Sequence, residues 1–382
     1  MSFHGIGRSA VKYAGKRAAC AISRVGTRLA EAALSMTRSL LSLLALFTLT
    51  ACSGDASGGA VELLHVSYDP TRELFAEVNE GFSAQWAREH DGQELVVRMS
   101  HGGSGAQARA VIDGLDADLV SLALPYDVDA IAREGATSRE WARRLPNDSS
   151  PWYSTIVFVV RRGNPRGVRD WPDLLRGETR VITPSPKTSG GARWTYLAAY
   201  GYAARHGYDG QTGDEAGAAF VRALYQRVPV LDSGARGASN TFAQNGIGDV
   251  LLTWENEAHL LREEMASAGL EIVIPTESIL AEPPVALVDR NVERHGTGAA
   301  AEAYARHLWS AEVQEIAARR HYRPREPAVL ERHRASFPSL TLFTVADQFG
   351  ADQLGASWDE LHRRHFADGA LFDQVQRRGG AR

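Results

Sequence analysis

The sequence predicts an α/β protein built as two units with a cleft between them. Three observations carry this reading. From Val61 onward, short apolar runs alternate with longer amphipathic ones. A Pro/Asn/Asp/Ser-rich turn at 145–151 separates one βαβα run from a second, smaller one. In both runs, short Gly/Ser turns with almost no charge open straight into helical patterns. With 382 residues the chain has the length for two domains.

In the first run, 61–67 reads as a strand and 70–89 as a helix, with Asp69 at its N-cap and Pro70 at its first position. Residues 95–99 read as a strand, 105–115 as a helix, 118–123 as a strand, and 128–134 and 138–144 as helical. The second run has a β-branched strand at 154–161, short strands at 181–183, 229–231 and 248–254, and helices at 190–206 and from Arg236. Strands at 270–275 and 284–289 and a long helix at 297–320 follow. From Glu326 the chain is polar, with Arg and His, and no repeat or low-complexity tract stands out. The two runs divide the chain into a lobe of 61–150 plus about 256–382 and a lobe of about 151–255.

The first fifty residues stand apart. They carry Arg8, Lys12, Lys16, Arg17, Arg24, Arg28 and Arg38 against one acid, Glu31. The apolar run at 40–49 has the length of a secretory h-region and is too short for a permanent span. It ends in Leu49-Thr50-Ala51-Cys52, which resembles the lipobox of bacterial lipoproteins and implies cleavage before Cys52 and lipid on its sulfur. Residues 1–51 therefore read as a signal region, with either Met36 as the expected start or the first 35 residues dispensable, and 52–60 as a flexible tether. The cysteines are Cys20 and Cys52, so the processed chain is expected to lack disulfides and thiol chemistry. The formal net charge of −4 gives no footprint for nucleic acid.

The Gly/Ser turns carry the chemistry. They lie at Ser67–Leu74, Ser100–Gly105, Thr188–Trp194 and Asp232–Gly237. A helix N-terminus offers unpaired N–H groups and the positive end of the helix dipole, so it suits an anion. Glycine lets the backbone approach a ligand, and serine adds a hydroxyl donor. Four such turns in one chain point to an oxyanion held mainly by neutral donors. In open α/β sheets ligands sit beyond the carboxyl ends of strands, where these turns fall, so the ligand would bridge the two units.

The same segments carry a resemblance. Val-Ser-Tyr-Asp-Pro-Thr-Arg-Glu-Leu from Val66, Ser-His-Gly-Gly-Ser-Gly from Ser100, Thr-Pro-Ser-Pro-Lys-Thr-Ser-Gly-Gly-Ala-Arg-Trp from Thr183, Leu-Asp-Ser-Gly-Ala-Arg-Gly from Leu231 and Gly-Asp-Val-Leu-Leu-Thr-Trp-Glu-Asn-Glu-Ala from Gly248 stand in one order. Over 61–375 the chain resembles the bacterial periplasmic sulfate-binding proteins, receptors of sulfate ABC importers. The resemblance implies a two-lobed periplasmic-binding-protein fold of type II with one anion in the interlobe cleft. It implies backbone N–H donors at Asp69, Ser104, Gly190, Gly191 and Ala235, hydroxyl donors at Ser189 and Ser104, and an indole N–H at Trp254. By its position alone, after a strand, Trp254 reads as a core residue. Arg236 reads as a brace beside the site rather than a direct contact, because a direct cation would bind phosphate equally well. Arg193 and His101 read as structural.

Fully deprotonated sulfate has acceptors only, so a pocket of donors suits it. Phosphate carries a P–OH that would meet no acceptor, at a cost of about 1–3 kcal/mol. The implied partners are sulfate, the membrane subunits of an ABC permease and, through a lipid anchor, a membrane; no cofactor, metal or nucleic acid is expected, and the chain is expected to be a periplasmic monomer. Thiosulfate is the alternative ligand, and molybdate or tungstate would need a wider pocket. An exported sulfate- or phosphate-ester hydrolase would need an activated nucleophile or a metal cluster, and neither stands out. Glu360, His362 and His365 lack the His-Glu-x-x-His spacing of zinc proteases and read as a solvated helix face.

Overall fold

The computed structural model describes residues 59–349 and 356–379. The signal region, the start expected at Met36, Cys20 and the lipidation site expected at Cys52 lie outside the described residues. The first lobe opens with β1 (Val61–Tyr68), α1 (Arg72–Glu89), β2 (Leu95–Gly102), α2 (Ser104–Ile112), β3 (Leu119–Ser121) and α3 (Pro125–Arg133). The chain then crosses through β4 (Trp152–Tyr153) into β5 (Ile156–Val160), β6 (Val181–Ile182), α4 (Gly190–His206), α5 (Gly213–Tyr225), α6 (Ala235–Ala243), β7 (Val250–Trp254) and α7 (Glu255–Glu264). It continues through β8 (Glu271–Val273), β9 (Glu277–Ile279), β10 (Val285–Leu287), α8 (Asp289–His295), α9 (Gly298–His307) and α10 (Ala311–Arg319). The last elements are β11 (Arg323–Pro324), α11 (Pro327–Arg332), β12 (Thr341–Phe343), α12 (Val345–Phe349), α13 (Ala356–His365) and α14 (Leu371–Gly379).

Two four-stranded sheets form the lobes. The first has the order β10-β3-β1-β2, with β1, β2 and β3 parallel and β10 antiparallel at the edge. The second has the order β6-β7-β5-β8. Each sheet is covered on both faces. Leu63, Leu119 and Val285 point to one side of the first sheet, and Val66, Val120 and Ala286 to the other. In β5, Ile156, Phe158 and Val160 alternate with Val157 and Val159 between two clusters. All five are buried, as expected for a strand covered on both faces. The segments that join the lobes pair where Ser154 and Ala281 exchange hydrogen bonds of 2.9 and 3.0 Å.

Several expectations are corrected. β8 hydrogen-bonds to β5, so it belongs to the second sheet rather than the first lobe. The C-terminal segment is also displaced: Trp358, Leu361, Phe366, Phe372 and Val375 pack in the core of the second lobe with Tyr196 and Tyr200. The segment at 229–231 is irregular, in keeping with a proline that has no N–H to give a ladder. The expected helix at 297–320 is two helices, because the Ser310 hydroxyl accepts from Val313 N (3.2 Å) and starts α10 afresh. At 138–144 only Trp141–Arg143 tightens into a 3₁₀ turn. Asp69 does not cap α1; its carboxylate lies 3.4 Å from Arg72, while the Thr71 hydroxyl donates to Tyr68 O at 2.7 Å.

Candidate functional site

The parallel strands of the first lobe end at one edge, and each runs into a turn there. β1 delivers Asp69 and a single 3₁₀ turn before α1. β2 delivers Gly102 and Gly103, and Ser104 is the first residue of α2. From the second lobe, Gly190 and Gly191 open α4, Ala235 opens α6, and Trp254 closes β7. The first-turn N–H groups of these helices have no acceptor within their own helix. Ser189 is the N-cap of α4, its oxygen accepting from Ala192 N at 3.3 Å, which leaves its hydroxyl hydrogen free to donate.

These residues meet in one cavity. It is lined by Asp69, Ser104, Ser189, Gly190, Gly191, Ala235 and Trp254, all seven of the positions named from the sequence. Tyr68, Pro70, Gly102, Gly103, Ala123 and Gly234 complete the wall. No Arg, Lys or His side chain is among the lining residues. The lining residues come from both lobes and enclose one polar hollow between their helix N-termini. Trp254 is 1% exposed, and its indole Nε1 is buried with no partner among the described residues. A buried N–H without an acceptor costs about 1–3 kcal/mol, so this donor marks a place for one.

Two glycines make the close approach possible. A Cβ on Gly191 would lie 2.3 Å from Trp254 Nε1, and a Cβ on Gly103 would lie 2.8 Å from Thr188 O across the cleft. The lobes are closed on each other. The Trp194 indole donates to Ala123 O (2.7 Å), and Tyr68 and Trp254 bring their rings to 5.8 Å.

Charge is present but turned aside. Arg193 of α4 donates to Pro186 O (2.9 Å) and to Asp127 Oδ1 of α3 (3.2 Å). Asp127 Oδ2 accepts the Ser104 hydroxyl at 2.5 Å, and Ser104 Oγ accepts from Ala123 N at 2.9 Å. The Ser104 hydroxyl hydrogen is thus committed to Asp127, which corrects the expectation of a hydroxyl donor there; its backbone N–H remains. Arg236 stands one residue into α6 and does not line the cavity. It donates to Glu73 of the first lobe (2.8 Å) and lies 3.2 Å from Glu257 of the second. Burial holds the Glu257 carboxyl up at about 7, against the pull of Arg236.

The partners Asp127, Glu73 and Glu257 were not named as site residues from the sequence, nor were Gly102, Gly103 and Gly234, which line the cavity from within the Gly/Ser turns. Among the described residues no group of three or more His, Cys, Asp and Glu is placed to hold a metal ion. His362 stacks on Tyr126, whereas His365 is fully buried against Tyr196, so this helix face is not the solvated one expected from the sequence.

Known proteins match this arrangement. A family model described as bacterial extracellular solute-binding protein matches residues 66–323. The chain is 54% identical to a sulfate-binding protein of Escherichia coli over 83% of this chain and 94% of that protein. It is 46% identical to a thiosulfate-binding protein of Pseudomonas aeruginosa over 84% of this chain and 94% of that one. Among solved structures, the sulfate-binding protein SubI of Mycobacterium tuberculosis superposes with a TM-score of 0.69 at 31% identity, covering 80% of this chain and 99% of that one. With two closed lobes, a shared cleft and this extent of likeness, the chain belongs to the bacterial extracellular solute-binding proteins.

Proposed function

We propose that this chain is an extracytoplasmic receptor that captures sulfate between its lobes and delivers it to an ABC importer. The anion would be held by the N–H groups of Asp69, Ser104, Gly190, Gly191 and Ala235, the hydroxyl of Ser189 and the indole N–H of Trp254. The observation that carries this reading is the buried, unpartnered Trp254 Nε1 in a cavity formed by helix N-termini and lined by no cationic side chain. Such a site offers backbone, hydroxyl and indole donors, and the one carboxylate among its lining residues, Asp69, lies 3.4 Å from Arg72. Sulfate, with acceptors only, satisfies every donor; a P–OH would be left without an acceptor. Arg193 and Arg236 are already matched by Asp127, Glu73 and Glu257, so the dianion is met by dipoles and hydrogen bonds rather than by a paired charge.

Each hydrogen bond to a charged group contributes roughly 1.5–3 kcal/mol, and desolvating the dianion offsets much of the sum. A dissociation constant of about 1 μM or below follows, near −8 kcal/mol or beyond. Calorimetric titration of the ion-stripped chain with sulfate and then phosphate tests the reading. One-to-one sulfate binding with phosphate silent supports it; equal binding of both would mean that an acceptor or a free cation reaches the ion. Thiosulfate is the second reading, favoured by the 46% identity to a thiosulfate-binding protein. Competition between the two ions separates them.

The likeness to sulfate- and thiosulfate-binding proteins supports a receptor over a hydrolase. We further propose that residues 1–51 are a signal region, that translation starts at Met36, and that lipid on Cys52 tethers a monomeric receptor to a membrane. Mass spectrometry of the N-terminus of the chain purified from membranes tests the cleavage and the lipid, initiator mapping in cells tests the start, and light scattering of the released chain tests the monomer.

A further inference from the structure

Away from the cavity, α13 touches both lobes. It is fastened to the second lobe by buried aromatic packing: Trp358 meets Trp194 edge-on at 5.3 Å, and Phe366 and His365 lie against Tyr196 at 5.1 and 5.5 Å. Lys187, two residues before Ser189, donates to Phe366 O (3.0 Å) and Ala367 O (3.2 Å) just past the end of α13. On its other side α13 meets the first lobe at α3. The His362 ring stacks on Tyr126 with centroids 4.0 Å apart and planes 11° apart. Asp359 accepts from Arg133 at 2.8 Å.

The two attachments differ in kind. The contacts to α4 are buried aromatic ones, whereas among the described residues the ring and ion-pair contacts to α3 are a stack and a half-exposed ion pair, with side chains 41% and 42% exposed. Contacts of the first kind persist; contacts of the second kind can open and close. The α3 side also lies close to the cavity, since Tyr126 stands between Pro125 and Asp127, the residue that holds the Ser104 hydroxyl.

We propose that α13 is an interlobe latch: carried by the second lobe, it closes on Tyr126 and Arg133 of the first and sets how long the anion stays trapped without touching it. The inference rests on the anion-receptor reading above. His362 and Asp359 are then positioning residues, acting through the closed form.

The test uses the full chain with Tyr126→Leu, Arg133→Asp, Asp359→Arg and the double charge reversal. Sulfate and thiosulfate serve as probe ions, with association and dissociation followed by stopped-flow tryptophan fluorescence and the melting temperature of the ion-free chain measured alongside. For Tyr126→Leu and each single reversal, dissociation should rise about three- to tenfold. The double reversal should restore it, while association and ion-free melting temperature stay unchanged. Unchanged dissociation in all variants would overturn the latch. So would an equal drop in ion-free melting temperature, which would mean that α13 clamps α3 in the open form too. Failure of the unaltered chain to bind either ion would overturn the receptor reading and the latch with it, whereas binding with unaltered variant kinetics overturns the latch alone.

Discussion

Arg193 and Asp127 pair across the cleft, Nη1 to Oδ1 3.2 Å, with side chains 9% and 3% exposed. One belongs to the first turn of α4 and the other to the first turn of α3, so the contact exists only when the lobes are closed. Its second effect is local. By holding Asp127 in place, Arg193 fixes the acceptor of the Ser104 hydroxyl and with it the N-terminus of α2.

Asp127→Asn should therefore weaken sulfate binding strongly and the ion-free fold weakly. Removing one partner of a buried pair leaves an uncompensated charge, at about 3–5 kcal/mol. In an open form Arg193 would regain water, so the cost falls on closure. Titration calorimetry should show at least about a 100-fold loss of affinity, with a small change in ion-free melting temperature. A melting temperature that drops as steeply as the affinity would place the pair in the core of the open protein.

Trp254→Phe isolates the indole N–H. A phenyl ring would still lie beside Tyr68, and the change at the cavity is the loss of the donor together with the part of the indole that carries it. A hydrogen bond to a charged acceptor contributes about 1.5–3 kcal/mol, so sulfate affinity should fall roughly 10- to 150-fold. Phosphate should remain unbound, because the substitution adds no acceptor. Unchanged sulfate affinity would remove Trp254 from the site.

What could be read in advance follows from how local each feature is. Ser104, Ser189, Gly190, Gly191 and Ala235 stand in Gly/Ser turns before helices, and that pattern is written in a few adjacent residues. Trp254 ends a buried strand and reads alone as core; only its place in the family's pattern marks it. Asp127 was invisible because its partner Arg193 is 66 positions away and on the other lobe. The fate of β8 and of the C-terminal helices was illegible for a similar reason. Periodicity predicts an element but not the lobe to which a returning chain carries it, and α13 hides buried Trp358, Leu361 and His365 in a segment rich in Arg and His.

Gly191→Ala tests the close approach of backbone and indole. The added Cβ would sit 2.3 Å from Trp254 Nε1, so the indole must turn away from the cavity. Alanine is a better helix former than glycine, so the fold of α4 itself gains rather than loses. Sulfate binding should fall at least as far as in Trp254→Phe, and because Gly191 and Trp254 share a lobe the ion-free chain should lose about 1–3 kcal/mol as well. Combining the two substitutions should cost little more than Gly191→Ala alone, because both act on the same donor. Additive losses would mean that the glycine matters for its own N–H.

Glu257 gives the chain a pH dependence that one substitution can isolate. Its carboxyl is held at about 7, first by burial and then by the nearby charges of Glu73 and Glu264, against Arg236. Arg236 is shared with Glu73, and Glu257 Oε1 finds no partner among the described residues, so the pull of Arg236 is incomplete. Between the ordinary carboxyl pKa of 4.5 and about 7, the folded chain keeps a proton that the unfolded chain has released. Stability contributed by this group therefore falls as pH rises through that window and levels off above it. The full difference is about 3 kcal/mol, and Glu257→Gln, which cannot ionise, should lose the decline. Urea unfolding of both chains between pH 5 and 8 reads the slope directly. The stability of the glutamine variant relative to the parent should climb with pH across the window. Parallel curves would mean that Arg236 keeps Glu257 ionised throughout, and that the buried pair is a permanent anchor beneath the site.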